Sequence, residues 1–140
     1  MRKKKQRLKT EATAGKKLKP TPTSNYDKEP VVFSLKHIQD GDYCFSKLTS
    51  DNKGEFAEAI YRRKDFTWTD YYQNSRQKLG CESIPLNQIK PEKPNVLTPD
   101  VGKVLAIRFA RTNGRVVGYR DNNIFYVLWI DCKMSLYDHD

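Results

Sequence analysis

Arginines and aromatic residues recur along the stretch GRVVGYRDNNIFYVLWID, which covers residues 114–131. Four of them have side chains of types that bind phosphate or stack on bases, namely Arg115, Tyr119, Arg120 and Tyr126. Guanidinium groups bind phosphate through paired hydrogen bonds, and aromatic rings stack on bases with little sequence preference. The same residue types also cover ordinary sheet surfaces, where arginines lie over aromatic rings. The pattern therefore allows either an RNA-binding face or a solvated sheet face.

These residues belong to a segment, residues 103–131, that predicts a three-stranded antiparallel meander. Asn113 and Gly114 form a strong hairpin signal, because a tight type I′ turn needs positive φ angles at both central positions. Asn122 and Asn123 suit a second turn less ideally. We therefore expect three strands joined by two tight turns.

The lengths of the two turns decide which side chains share a face of this sheet. Two-residue loops would pair Thr112 with Arg115 and place Arg108 opposite Tyr119. The more apolar face is the expected core and contains Leu105, Ile107, Phe109, Arg111, Val116, Gly118, Arg120, Phe125, Val127 and Trp129. The other face contains Arg108, Ala110, Arg115, Val117, Tyr119, Tyr126, Leu128 and Ile130. A change of one residue in the second loop would exchange the faces of the last strand.

The chain before the meander predicts a hairpin followed by two helices. VVFSLKHI (31–38) and YCFSKL (43–48) are strand-like and flank the turn QDGD. A helix is expected from about residue 52 with Ser50 or Asp51 as its N-cap, and a second helix between Thr69 and Gly80. The residues expected to face the sheet are Phe56, Ala59, Ile60 and Arg63 in the first helix, and Trp68, Tyr72 and Leu79 in the second. We expect Trp129 to be buried against this layer, near Trp68 or Ile60.

The expected fold class is α+β, with an antiparallel sheet that consists of the N-terminal hairpin and the C-terminal meander and is packed by two helices. Residues 81–100 contain four prolines and predict an ordered surface loop rather than a central strand. Residues 30–140 are expected to form this single domain. His37 is interpreted as a strand-end residue.

Residues 1–29 are interpreted as a disordered basic arm. The first thirty residues carry ten Lys and Arg against three Asp and Glu, so most of the net charge of +9 lies there. Such a segment has too little apolar surface to offset the entropy of ordering. Lys3, Lys4 and Lys5 are candidates for contacts with an RNA backbone, which are independent of sequence. The alternative is a solubilising extension without a partner.

Several classes of site and location lose support. The three cysteines, Cys44, Cys81 and Cys132, form no CxxC pair, and the chain has only two histidines, which argues against a structural zinc site. The sequence contains no GxGxxG, P-loop, HExxH or GxSxG pattern. No apolar run approaches the ~20 residues of a membrane span, and no signal peptide is indicated. We expect a cytoplasmic protein without cofactor, metal or membrane contact.

The region from about residue 50 to 140 resembles the RelE/YoeB/HigB group of toxin–antitoxin ribonucleases. The likeness rests on GRVVGYRDNNIFYVLWIDCKMSLY, which is similar to that group's arginine-bearing strand, turn, apolar strand and tyrosine-containing end. The resemblance implies helices packed on an antiparallel sheet and cleavage of messenger RNA on the ribosome. It also implies that Arg108, Arg115 and Arg120 would clamp phosphate, and that Tyr137 or His139 would be the terminal acid or base. The stretch from FSLKHI through FTWTDYYQNSR to FYVLWIDCKMSLY also looks like a family of small bacterial proteins, for which we know no assigned function.

RNA cleavage without a metal needs a base for the 2′-hydroxyl, a donor for the leaving oxygen and cations for the phosphorane charge. Arg115, Tyr137 and His139 are the catalytic candidates, and a tyrosine could serve as the base if neighbouring arginines favour its phenolate. The expected partners are RNA or the ribosome, and an antitoxin or another protein. The alternatives are a non-catalytic module that binds nucleic acid or protein, and an inhibitor encoded by a mobile element.

Overall fold

The computed structural model describes residues 26–73, 81–110 and 113–139. They form an α+β fold with one mixed sheet of five strands in the order β1-β5-β4-β3-β2. The strands are β1 (Val32–Ser34), β2 (Cys81–Pro85), β3 (Lys103–Arg108), β4 (Arg115–Asp121) and β5 (Ile124–Asp131), and the helices α1 (Ser50–Arg62) and α2 (Trp68–Gln73) lie between β1 and β2 in the chain. β1 pairs with β5 in parallel, and the other neighbouring strands are antiparallel. The prediction of an α+β fold is confirmed, but the sheet is not purely antiparallel.

The predicted N-terminal hairpin is wrong. β1 pairs with β5 rather than with residues 43–48, which contain only a short 3₁₀ helix at Phe45–Lys47. The chain after β1 continues along the same edge of β5, where Gln39 donates its backbone N–H to Leu128 and Ile130 donates to Tyr43. The apolar alternation of residues 31–48 therefore reflects a segment that follows the edge of β5.

Both helices begin with side-chain caps. The Thr49 hydroxyl accepts a hydrogen bond from the Asn52 backbone N–H at 3.1 Å, so Thr49 is the N-cap of α1. The predicted caps, Ser50 and Asp51, are the first two residues of the helix. Thr67 and Asp70 cap α2 reciprocally, because each side chain accepts a hydrogen bond from the other's backbone N–H. The C-terminal part of the predicted second helix, including Leu79 and Gly80, lies outside the described residues.

The predicted loop at residues 81–100 begins with a strand. β2 pairs with β3, with Glu82 opposite Ala106, and it forms an edge of the sheet. Pro85 ends the strand, and an edge strand tolerates a proline at its end because the missing N–H interrupts no interior ladder. The following residues cross the sheet and bury Ile89 and Leu97 against it.

The first turn of the meander is longer than the two residues predicted. Arg108 pairs with Arg115, and the Phe109 backbone N–H bonds to the Gly114 carbonyl, so residues 109–114 connect the strands. The predicted pairing of Arg108 with Tyr119 is therefore wrong, and Thr112 lies outside the described residues. Arg108 pairs four residues away from its predicted partner. Because four is an even number, the side chains of β3 and β4 keep their predicted faces.

A β-bulge changes the faces of β5. Val117 pairs with Trp129 and Gly118 with Val127, which leaves Leu128 as an extra residue. Beyond this point the alternation is reversed, because two residues on β5 oppose one on β4. Trp129 is buried, with 2% of its surface exposed, but it lies on the face opposite the helices. The prediction that it packs near Trp68 or Ile60 is wrong.

The sheet therefore separates two cores. The helix-side core contains Val31, Phe56, Ala59, Trp68, Tyr71, Ile107, Phe109, Val116, Phe125, Val127 and Ile130. The loop-side core lies under the residues that follow β2 and β5, and it contains Ile84, Ile89, Leu97, Val101, Val104, Ala106, Val117, Leu128, Trp129, Leu136 and Tyr137. Both faces of the sheet are covered.

Substitution of Gly118 is expected to destabilise the bulge. A Cβ atom at this position would lie 2.1 Å from the Tyr126 carbonyl oxygen, which belongs to the backbone and cannot rotate away. Gly118→Ala should lower the free energy of unfolding by about 1–3 kcal/mol or more. Gly54→Ala in α1 is the control, because no atom lies within 4 Å of its Cβ position and alanine favours a helix. Equal stabilities of the two variants in a denaturant titration would contradict this account of the bulge.

Candidate functional site

Four charged side chains from four adjacent strands share one end of the loop-side face. Arg115 at the start of β4 is directly opposite both Arg108 on β3 and Asp131 on β5. Directly opposite residues point to the same side of a sheet. Glu82 on β2 is opposite Ala106, two positions before Arg108, and therefore has the same orientation. With Tyr137 and His139 these residues are called the Arg115 cluster.

The residues that follow β5, 132–139, are called the C-terminal segment. Asp131 turns this segment back over the same end of the sheet. Its carboxylate is 1% exposed and accepts hydrogen bonds from the backbone N–H groups of Lys133, Ser135 and Leu136 at 3.1–3.3 Å. Leu136 is fully buried in the loop-side core. The chain after β5 therefore turns at once and directs Tyr137 onto the face that carries Arg115.

Other contacts hold the same segment from both sides. The Tyr43 hydroxyl is 3.0 Å from the Ser135 hydroxyl, and the Lys90 backbone N–H donates to the Leu136 carbonyl at 2.9 Å. An exposed ion pair joins the Lys90 ammonium to the Asp138 carboxylate at 3.2 Å. The C-terminal segment is therefore packed against the rest of the fold and held by specific contacts.

The structure brings Arg115, Tyr137 and His139 together. The ring centroids of Tyr137 and His139 are 4.3 Å apart with an interplanar angle of 30°, a stacked arrangement. Arg115 is 8% exposed and Tyr137 is 3% exposed. The three residues proposed from the sequence for catalysis thus occupy one place at the end of the sheet.

Each of these three side chains contains a buried polar atom that lacks a hydrogen-bond partner among the described residues. The atoms are Arg115 Nη1, the Tyr137 hydroxyl oxygen and His139 Nε2. Buried polar groups in folded proteins almost always have partners, so three exceptions in one cluster require an explanation. They mark a place where an external polar group can bind.

The electrostatics of the cluster keep Tyr137 protonated. Burial raises the pKa of the Tyr137 phenol to about 12, and the negative charges of Glu82 and Asp131 act in the same direction. The nearby Arg115 guanidinium opposes this rise in pKa, by its charge and by a contact outside standard hydrogen-bond geometry. The condition under which Tyr137 could act as a base, a phenolate favoured by neighbouring arginines, is therefore not met at this site. At neutral pH Tyr137 is a hydrogen-bond donor.

Alkaline titration should separate Tyr137 and Tyr71 from other tyrosines. Burial raises the pKa of Tyr71 to about 12 as well. Because both pKa values lie above the ordinary value of 10, the folded state holds these protons more tightly than the unfolded state. Their contribution to stability is complete below pH 10 and is lost as the pH rises from 10 to 12. Phenolate absorbance and denaturant titrations should show this, and Tyr137→Phe should reduce the late-ionising fraction.

Arg120 lies apart from the cluster, on the helix side of the sheet. Its guanidinium forms an ion pair with Asp27, lies 4.8 Å from the Trp68 ring centroid and donates to the Tyr72 hydroxyl. Its side chain is 9% exposed. Arg120 therefore fastens residues of the predicted arm to α2, and the last four residues of that arm, 26–29, are in contact with the fold.

The remaining candidates for RNA binding lie at other places. Tyr119 and Tyr126 are directly opposite each other, and the His37 ring is 5.1 Å from that of Tyr126. Four residues along β4 separate Tyr119 from Arg115, which corresponds to ~13 Å. The amino-terminal lysines Lys3, Lys4 and Lys5 lie outside the described residues.

A cleft beside the C-terminal segment provides space for a ligand. It has a volume of about 670 Å³ and separates residues 42–52 from residues 130–135. Lys47 and Lys133 line it together with the N-terminal residues of α1, and Asp42 and Asp131 line it with the opposite charge. This charged lining suits a polar ligand better than an apolar one.

Sequence reasoning missed Glu82 and Asp131. The position of Glu82 depends on β2, and β2 was not predicted because the prolines of residues 81–100 indicated a loop. Asp131 directly precedes a short segment rich in polar and small residues, a weak signal for a side chain that caps a turn. No other property of the sequence marks either residue.

No helix in the described part of the chain is long and apolar enough to cross a membrane. Residues 26–73, 81–110 and 113–139 contain no group of three or more His, Cys, Asp or Glu that could hold a metal ion. Comparison with models of protein families, with curated proteins and with solved structures gives no match.

Proposed function

We propose that this protein is a RelE-like endoribonuclease toxin that cleaves ribosome-bound messenger RNA at the Arg115 cluster. The observation that carries the proposal is the meeting of Arg115, Tyr137 and His139, each with a buried polar atom that has no partner among the described residues. Helices on one face of the sheet, arginines on the other and a Tyr and a His at the C-terminal end also agree with the resemblance.

Each member has a chemical role that its environment suits. Arg115 neutralises the charge that develops on the phosphorane, His139 accepts the proton of the attacking 2′-hydroxyl, and Tyr137 donates to the leaving 5′-oxygen. The raised pKa of Tyr137 supports a donor rather than a base. Glu82 supplies a carboxylate close enough to influence Tyr137 and is the second candidate for the base.

Substrate access requires movement of the C-terminal segment. Because Arg115 and Tyr137 are 8% and 3% exposed, a phosphate reaches Arg115 only when residues 137–139 open outward, and Tyr137 and His139 then close on the bound phosphate for the chemistry. The cleft lined by Lys47 and Lys133 borders the same segment at residues 132–135 and is the proposed place for the flanking RNA. RNA binding and opening of the segment are therefore coupled in this proposal.

The test is cleavage of messenger RNA on translating ribosomes by the full chain and its variants. Wild type should cut the RNA and arrest growth when expressed, whereas Tyr137→Phe and His139→Gln should bind ribosomes but cleave slowly. Tyr61→Phe and His37→Gln are matched controls, because Tyr61 is 65% exposed and His37 contacts Tyr126 instead.

Three outcomes would contradict the proposal in whole or in part. Wild-type protein that neither arrests growth nor cuts ribosome-bound RNA would exclude the toxin function. Ribosome or RNA binding without cleavage would support the alternative of a non-catalytic binding module. Normal cleavage by Tyr137→Phe and by His139→Gln would be consistent with a nuclease, but it would exclude the Arg115 cluster as the place of cleavage.

A further inference from the structure

We infer that Asp131 is a positioning residue whose carboxylate holds Tyr137 and His139 in place beside Arg115. The inference rests on the proposed function for its catalytic consequence, although the structural role of Asp131 can be measured without any activity. Asp131 is one of two buried charged residues in the described ranges, and the other is Arg115 itself.

The hydrogen bonds of Asp131 all serve the chain that follows it. Oδ1 accepts from the backbone of Lys133 and Ser135, and Oδ2 accepts from Ser135 and Leu136. A buried carboxylate is costly to desolvate, and it is kept where its hydrogen bonds offset that cost. Here they organise the turn that immediately precedes Tyr137.

The turn needs such support because its own backbone is strained. Met134 has a φ of 54°, in the left-handed region that a methionine rarely adopts. Asp131 bonds to residues on both sides of Met134, and Leu136 fixes the far end of the turn in the loop-side core. The carboxylate therefore holds a conformation that the sequence of the turn would not favour alone.

The position of Asp131 also determines how the segment meets the arginine. Asp131 and Arg115 are directly opposite in the β4–β5 ladder, so the start of the turn is fixed relative to the guanidinium. Tyr137 and His139 then occupy the same end of the sheet without being part of any strand. Loss of the carboxylate should displace these two side chains while the ladder remains paired.

Asp131→Asn is the principal variant, because it keeps the size of the side chain but replaces one acceptor oxygen by a donor. The first measurement is the NMR signal of the His139 ring, which stacking on Tyr137 shifts away from the value of a free histidine. We expect this shift to be largely lost in Asp131→Asn. Ser135→Ala is the matched control, because it removes the bond to Tyr43 but keeps the N–H that Asp131 accepts, so the His139 signal should stay near its wild-type position.

The second measurement is a mutant cycle on the cleavage of ribosome-bound messenger RNA. Asp131→Asn should lower kcat by about 10–100-fold with little change in KM, and it should add little to a Tyr137→Phe, His139→Gln double variant. If Asp131→Asn does not fold, Asp131→Glu replaces it, because the longer side chain moves the acceptor oxygens and should also shift the His139 signal.

The outcomes separate this inference from the proposed function. An unchanged His139 signal in a folded Asp131 variant, or fully additive effects in the cycle, would overturn the positioning role. Absence of cleavage by wild-type protein would remove the proposed function, while a displaced His139 signal would still support Asp131 as the residue that positions the segment.

Discussion

Arg115→Ala is expected to lower the rate of RNA cleavage by about 10²–10³-fold, the usual effect of removing one donor that stabilises transition-state charge. Arg115 is 8% exposed, and its Nη1 has no hydrogen-bond partner in the described part of the chain, so this donor can bind an incoming phosphate once the C-terminal segment opens. The loss should appear mainly in kcat, because the interaction strengthens as the phosphorane forms.

Controls must separate this effect from instability. Arg62→Ala removes an exposed arginine paired with Glu58 and should leave cleavage unchanged. Arg115→Lys keeps the charge but loses the planar fork of donors, so it should recover only part of the rate. A denaturant titration of each variant establishes that it is folded. A folded Arg115→Ala protein that cleaves at the wild-type rate would exclude Arg115 from the chemistry.

Trp129→Ala is expected to lower the free energy of unfolding by about 3–5 kcal/mol, through lost transfer energy and the cavity left behind. Trp129 is 2% exposed and belongs to the loop-side core, together with Leu97 and Leu136. Denaturant titration measures the loss, and Tyr61→Ala is the control because Tyr61 is 65% exposed. A stability within about 1 kcal/mol of wild type would contradict the burial of this side chain.

The side of the sheet on which Trp129 lies has its own test. Leu136 directly precedes Tyr137 and shares the loop-side core with Trp129, so Trp129→Ala should also disturb the His139 NMR signal. Ile60→Ala, on the helix side, should lower stability without this change. If both variants left the His139 signal unchanged, Trp129 would not support the C-terminal segment. The bulge, which places Trp129 on the loop-side face, would then have no effect on the position of His139.

The periodicity of the sequence predicted the helices and the meander, but it could not predict the bulge. Residues 127–130 read VLWI, so either alternation places apolar side chains on both faces, and both faces are buried. Gly118 offered the only local signal, since a glycine in a strand often marks a bulge. The N-terminal hairpin failed for a related reason, because local pattern does not reveal that β5 is the common partner of both segments.

The residues of the candidate site also divide into those that the sequence could predict and those that it could not. Arg115, Tyr137 and His139 could be proposed because their residue types are suited to RNA cleavage and because they lie on or just after two predicted strands. Glu82 and Asp131 could not, because their importance arises from strand pairing and from hydrogen bonds to the backbone. Arg120 was proposed with the others, yet a neighbouring carboxylate and two aromatic rings engage it on the other face.

The parallel pairing of β1 with β5 has a consequence for the order of folding. Val32 meets Ile124, so this pairing closes a loop of most of the described chain, whereas β3, β4 and β5 join through short connections. Long-range pairing of this kind is slow, since the entropy of loop closure is lost before the contacts form. The meander can therefore assemble as an early unit, with the edge of β5 open until the amino-terminal strand arrives. During this interval β5 is exposed to strands of other chains, which makes the arrival of β1 the step that protects the protein from aggregation.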